Sequence, residues 1–316
     1  MTLQSASPAP RNHRCTRRRA TWATVARIAT VALLGPLFTL SDMPGQMALE
    51  AVASPVTVDG CDVEVADSDG ALVSGEIGPV GSATHVEVKK DGNDCVLIFV
   101  KPMVEMEWTF PDYLEEMHVL VVAGGGAGAK GGGGAGGYFD TYSDPNIPPL
   151  AVPAGATDLT VRVGKGADAG ASNTNDIGFN GAHSGLFFEP FSGKENLLAD
   201  DGANSSGGPR PTVSASAIVM AGGGGGAREA FRGFPGGSGG GSVGGDGDSV
   251  NAGLALTDSE PEPQAYGSSS GAVSSTATQR LSSGGGGAGG SSSSLDSSDS
   301  AGSDGGIGKA SSITGT

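Results

Sequence analysis

The sequence predicts an all-β protein in which short strands lead into ordered stretches of nearly pure glycine. Three observations predict it. Glycine supplies 57 of 316 residues, roughly 2.5 times the ordinary share of about 7%. The apolar residues outside the N-terminus fall in short runs of β type, alternating or continuous, and nowhere in a sustained 3.6-residue period. Three times, an apolar run passes directly into a glycine tract. Collagen is excluded, because no Gly-X-Y period runs through the chain and Pro numbers only 18.

The first 53 residues are read as an address. Arg14, Arg17, Arg18, Arg19 and Arg27 precede the apolar run Ile28–Leu40, which is 13 residues long and contains Pro36. A basic region before an apolar run of this length is the pattern of a secretory signal. A spanning helix needs about 20 apolar residues. Ala51-Val-Ala53 and Thr39-Leu-Ser41 are the two candidate cleavage positions, and an uncleaved N-terminal anchor is the alternative. Either reading sends residues 54 onward out of the cytoplasm. No other segment is apolar and long enough to suggest a membrane contact.

Residues 54–105 are expected to form a small β region, with runs at 56–59, 61–65, 85–89 and 95–100 separated by Gly and Asp clusters. Cys15 lies in the address, so Cys61 and Cys95 are the two cysteines of the exported part. One disulfide is the simplest reading of such a pair; free thiols and a metal are the alternatives. A metal would need more ligands, and His85, His118 and His183 do not cluster in the sequence.

Residues 106–316 form the second expected unit. His118-Val-Leu-Val-Val-Ala-Gly-Gly-Gly126 leads to Gly131–Gly137 and then Tyr138-Phe139; Asp158–Val163 leads to Gly164-Lys-Gly166; Val213–Met220, read as a single strand, leads to Gly222–Gly226. A lone glycine tract is ordinarily a flexible linker, because Gly loses the most backbone entropy on ordering. It orders when several extended threefold chains of the polyproline II type lie side by side, since their N–H and C=O groups point outward and no Cβ intervenes. Ala and Ser are expected only where a face is open. Residues 257–303 are rich in Ser and acid and are expected to be long mobile Gly/Ser loops.

At this point the residues carry a resemblance. Trp108-Thr-Phe-Pro111, Val119-Leu-Val-Val-Ala-Gly-Gly-Gly126, Val161-Arg-Val-Gly-Lys-Gly166, Gly181-Ala-His-Ser184, Met220–Gly226, Gly236–Gly241 and Ser311–Thr316 occur in order. The sequence over about 100–316 resembles the glycine-rich domains of bacterial secreted and surface proteins, which are related to modules of phage tail tips and of one animal receptor kinase family. Asp112–Glu116 departs from the short turn usual there. The resemblance implies a β-sandwich-like scaffold with inserted polyglycine helices, and a structural or adhesive role without catalysis. It also implies that Ser311–Thr316, read as the start of a strand, leads into a further glycine tract, so that the chain is expected to be truncated.

Net charge is −16, and the 263 residues after 53 carry 12 basic and 32 acidic groups, a net of −20. Binding to nucleic acid needs a cationic face, so it is not expected. Gly126-Ala-Gly-Ala-Lys-Gly131 spells a dinucleotide fingerprint but precedes more glycine where a helix is required. Ser238 and Ser269 sit in G-x-S-x-G patterns without the strand–turn–helix context or a downstream His. Gly244–Val250 approaches a calcium-binding repeat, with its acid one position early and no array. Glu115-Glu116, Asp200-Asp201 and Glu260/Glu262 read as solvated carboxylates. The expectation is therefore an exported, non-catalytic protein of the cell surface, with no cofactor and an unknown surface or wall component as partner. Its rivals are a secreted hydrolase and a passive disordered coat or spacer. Trp108, Phe110, Tyr138, Phe139, Phe187 and Phe188 are expected in the core, with Tyr138-Phe139 as an exposed contact surface the alternative.

Overall fold

The computed structural model describes residues 56–58, 60–67, 77–81, 85–168, 177–192, 212–228, 231–244, 249–256, 267–274, 281–296 and 298–313. Residues 51–316 form one compact unit. The address segment 1–53 lies outside the described residues.

The described residues form strands and no helix. In chain order these are β1 (Val56–Val58), β2 (Cys61–Asp67), β3 (Ile77–Pro79), β4 (Val86–Asp91), β5 (Asp94–Phe99), β6 (Glu105–Thr109), β7 (Glu116–Met117), β8 (Leu120–Val122), β9 (Tyr138–Asp140), β10 (Leu150–Ala151), β11 (Asp158–Arg162), β12 (Ser184–Phe188), β13 (Thr212–Val213), β14 (Ala217–Met220), β15 (Ser249–Val250) and β16 (Val273–Ser274). A seven-stranded antiparallel sheet runs in the order β1-β2-β6-β11-β12-β14-β13. Beside it are a three-stranded sheet, β3-β4-β5, and three two-stranded ribbons.

Alternation builds the first core. Cys61, Val63 and Val65 of β2 turn inward, as do Val86 and Val88 of β4, and with Met106 of β6 they make one buried cluster. The Cys61–Cys95 disulfide joins β2 to β5 across it, with Cα atoms 5.9 Å apart. Residues 105 and 106, where the two expected units meet, both lie in β6, which pairs with β2 from Glu64↔Thr109 to Asp67↔Met106. Sheet and core are continuous there.

Further along the sheet both faces are covered. Phe110, Leu159, Val161 and Phe188 form a second cluster, while Ile218 and Met220 pack with Val119, Val121 and Phe139 on β8 and β9. Ala217 and Val219 point the other way, onto Phe187. One strand reading needs correction, and one strand goes unread in the sequence. Val213–Met220 is a hairpin, since Ser214 Oγ accepts the Ala217 N–H at 3.0 Å and turns β13 back on β14. β12 lacks the alternation that marks a strand in sequence, because its Phe187 and Phe188 are buried on opposite faces.

β8, β11 and β14 each hand over to a glycine tract, as the sequence predicts. Residues 257–303 do not form loops throughout: in their described parts Val273, Leu281 and Leu295 make a further buried cluster, and Ser270, Ser283 and Ser292 are buried. Residues 257–266, 275–280 and 297 lie outside the described residues. Ser311 and Ser312 are not in a strand.

Candidate functional site

The glycine tracts meet in an interior made of backbone. Residues 221–227 and 236–244, all Gly, Ala, Ser or Val, are buried without a break. Buried N–H and C=O groups must be paired, and here they pair between tracts. The N–H groups of Gly131, Gly134 and Gly137 donate to the carbonyls of Ala227, Gly224 and Ala221 at 3.0, 2.8 and 2.8 Å. Those of Gly132 and Ala135 donate to Ser283 and Gly286 at 3.2 and 3.0 Å. In return Ala123 and Gly126 donate to Gly137 and Gly134, and Ser238 and Gly241 donate to Ala135 and Gly132. One seven-residue tract thus bonds to four neighbours, and the partner segment recurs every third residue. A β-ladder alternates between two neighbours with a period of two. This lattice does not.

Close approach is what requires glycine in it. A Cβ on Gly126 would collide with Gly224 O, on Gly133 with Gly126 O, and on Gly224 with Phe234 O while lying 2.7 Å from Gly240 N. Each obstacle is a backbone atom, unable to swing aside as a side chain would.

Serine in the lattice is buried rather than confined to open faces, which corrects the sequence expectation. Ser242 Oγ accepts the Gly233 N–H at 3.2 Å and donates to Asn251 O at 2.7 Å. Ser283 Oγ accepts from Ser242 N at 2.9 Å and donates to Gly271 O at 2.8 Å. Ser292 Oγ accepts from Gly271 N and donates to Gly284 O. A hydroxyl can donate and accept together, so each one bridges two tracts. Asn180 Oδ1 and His183 Nδ1 accept the N–H groups of Gly225 and Gly222 in the same manner.

A polar node fastens the C-terminal segment. Asp140 is fully buried in β9. Tyr138 Oη donates to its Oδ2 at 2.7 Å, and the N–H groups of Tyr142 and Ser143 donate to Oδ1 at 2.7 and 3.0 Å. Burial raises the carboxyl, but hydrogen bonds from Tyr138, Ser143, Ser311 and Tyr142 outweigh it and bring Asp140 from 3.8 down to about 2. Ser143 Oγ lies 3.3 Å from Ser311 Oγ and accepts the Ser312 N–H at 3.1 Å, and Tyr138 Oη lies 3.1 Å from Ala310 O. Tyr138, Tyr142 and Ser143 are near neighbours of Asp140 in the chain, but nothing in the local sequence signals that the node reaches Ala310, Ser311 and Ser312 of the C-terminal segment.

The remaining sequence candidates are placed as follows. Tyr138 and Phe139 are 4% and 2% exposed, so they are core and the contact-surface alternative fails. Gly126–Gly131 continues into Gly132–Gly137 and β9 without a helix. Ser238 has no exposure, and its Oγ accepts the Ser268 N–H at 3.3 Å; Ser269 Oγ accepts from Ala255 N. Glu115 and Glu116 are exposed. Residues 245–248 of the calcium-like motif, Asp200-Asp201 and Glu260/Glu262 lie outside the described residues. A shallow acidic cleft lined by Glu107, Thr157, Asp158, Glu189 and Pro190 opens on the sheet. Its Asp158 accepts from Thr109 and Thr157, and Glu189 from Thr160 and the Phe191 N–H. Among the described residues no group of three or more His, Cys, Asp or Glu is arranged to hold a metal, and no helix is long and apolar enough to cross a membrane.

An all-β chain whose interior is a glycine backbone lattice defines a class, the glycine-rich β domain. The family model described as a glycine-rich domain matches residues 102–315, and the chain belongs to that family. No match is found among curated proteins or among solved structures.

Proposed function

We propose that this is an exported, non-catalytic structural protein that acts in cell-surface interaction or adhesion. The observation that carries the reading is the three-residue recurrence of hydrogen-bond partners along 131–137, together with the backbone collisions that a Cβ would meet at Gly131, Gly132, Gly133, Gly134 and Gly136. Three residues per turn, with every backbone group directed outward, is the geometry of polyproline II chains. The tracts are accordingly read as packed polyglycine helices inserted into a β scaffold, and the cluster shared by β2, β4 and β6 supports a sandwich-like arrangement of the two sheets. A lattice in which most single side-chain additions collide is suited to a rigid presenting body. The ordered tracts count against the disordered spacer.

The disulfide supports export, since such bonds persist in oxidising compartments. The basic, then apolar, N-terminal segment gives the route. The strongly acidic exported part disfavours nucleic acid and suits contact with a neutral or cationic component of a surface or wall. Labelling intact cells that express the full chain with a membrane-impermeant amine reagent tests the location. Labelling of Lys residues on intact cells is expected, and protection until lysis would overturn the surface role. Turnover of an ester, glycoside or peptide by the purified chain would overturn the non-catalytic one.

A further inference from the structure

Two side chains do the same job on one row of the lattice. Residues 178–183 run antiparallel to 222–226: Gly178 N donates to Gly226 O and Gly181 N to Gly223 O, each at 2.9 Å. On the same row Asn180 Oδ1 accepts the Gly225 N–H at 2.8 Å, and His183 Nδ1 accepts the Gly222 N–H at 2.9 Å. The two rungs are three residues apart in both segments, and both side chains are buried. They differ in chemistry. An amide oxygen accepts at every pH, whereas an imidazole nitrogen accepts only while it is unprotonated.

The Gly222 bond therefore fixes the state of His183. A backbone N–H can only donate, so Nδ1 carries no proton in the folded chain. The imidazolium has an N–H at both nitrogens and would set one of them against the Gly222 N–H at a buried position. His183 stands directly before β12, and Gly222 lies just after β14. The bond closes the corner where two strands meet the lattice. The elements packed on this corner are β11 with Gly164-Lys165 beyond it, β8 with β9, and the tract at 236–237. Their charged and titratable groups are Arg162 on β11, Lys165 beyond it, and Tyr138 and Asp140 on β9. Lys165 pairs with Asp168 at 2.7 Å, and Asp140 accepts from Tyr138.

We propose that His183 is an acid-sensitive latch of the glycine lattice: protonation of its imidazole releases Gly222 and opens the corner between β12, β14 and the tract, while the Asn180–Gly225 rung holds. Below about pH 6.5, the ordinary imidazole value, the unfolded chain takes up a proton that the latched fold excludes. Stability rises with pH wherever the unfolded state binds more protons, so the latch is closed at neutral pH and weakens in a mildly acidic setting. The inference rests on this row of bonds and not on the proposed surface role.

Amide exchange of the full chain between about pH 8 and about pH 5 is the test, each rate being divided by the intrinsic rate at that pH. Protection of Gly222 is expected to fall about tenfold or more relative to Gly225, with a limit of about tenfold per pH unit, in step with the His183 imidazole signals in NMR. His183→Asn, which places at 183 the kind of acceptor already used at 180, should keep Gly222 protected across the whole range. His85 and His118 are present in both proteins and cancel from the comparison. If that variant does not fold, the ratio of Gly222 to Gly225 in the unaltered chain still decides. Constant Gly222 protection in the unaltered chain, an equal fall at Gly222 and Gly225, or the same fall in a folded His183→Asn chain would each overturn the proposal.

Discussion

Residues 61–109 and the tracts of 123–290 both have buried interiors among their described residues, built on opposite principles. In the first, Val63, Val65, Val86, Val88 and Met106 fill space with side chains, so stability follows apolar area removed from water. In the second, side chains are mostly absent and backbone amides pair tract to tract. The side-chain core is damaged by taking atoms away. The backbone lattice is damaged by adding them. A net hydrogen bond is worth only about 1 kcal/mol, so the lattice depends on many bonds held at once and on the absence of a Cβ at its closest approaches.

The largest expected effect tests that asymmetry. Gly224→Val forces a branched side chain onto the carbonyl of Phe234 and the N–H of Gly240, and should lose about 5 kcal/mol or more, at the extreme of single substitutions. Equilibrium denaturation measures it. A melt like that of the unaltered chain would break the comparison, because the tract would then be loose.

Next comes the disulfide. Cys61 and Cys95 close a loop of sequence separation 34, so replacing both with Ser should remove roughly 4 kcal/mol in the chain-entropy view. Alkylation and mass spectrometry without reductant should first find neither thiol free. The comparison sharpens if residues 56–109 loosen while the tract amides stay protected. It breaks if both regions melt together through the pairing of β6 with β11, the strand that leads into Gly164-Lys-Gly166.

The Asp140 node should contribute about 2 kcal/mol at neutral pH, its folded value being about 2 against the ordinary 3.8. The folded value is depressed, so the contribution is complete above the ordinary value and disappears as pH falls from there through about 2. Denaturation of Asp140→Asn and the unaltered chain from pH 7 to pH 2 should show a gap that narrows over that interval. A gap independent of pH would remove the charge from the account. The smallest effect is Ser283→Ala, which leaves the Ser242 N–H without its acceptor at a buried position and should cost about 1–2 kcal/mol.

What was legible in the sequence follows from this contrast. Cys61, Val63 and Val65 alternate, and alternation declares an inward face. The passage from Val119–Val122 into glycine declares a strand feeding a tract. Glycine carries no pattern beyond itself, so nothing in 131–137 says that its neighbours are 221–227, 238–241 and 283–286. The burial of Ser238, Ser242 and Ser283 was illegible for the same reason: a hydroxyl is satisfied by carbonyls and amides that only the fold brings near. The polar composition of 257–303 pointed to solvent, while Leu281 and Leu295 are too widely spaced to announce their cluster with Val273.

The central claim is that the glycine tracts are ordered by hydrogen bonds that recur every third residue. Residue-resolved amide hydrogen exchange of the native chain tests it most directly. The account predicts strong protection at Gly131, Gly134 and Gly137 and at Gly223 and Gly226, which donate to Gly124 and Ala127 at 2.8 Å. Gly305 and Gly308, whose N–H groups have no partner among the described residues, should exchange quickly by contrast. Uniformly fast exchange across 123–137 and 221–227 would contradict it and leave the glycine as a loose spacer.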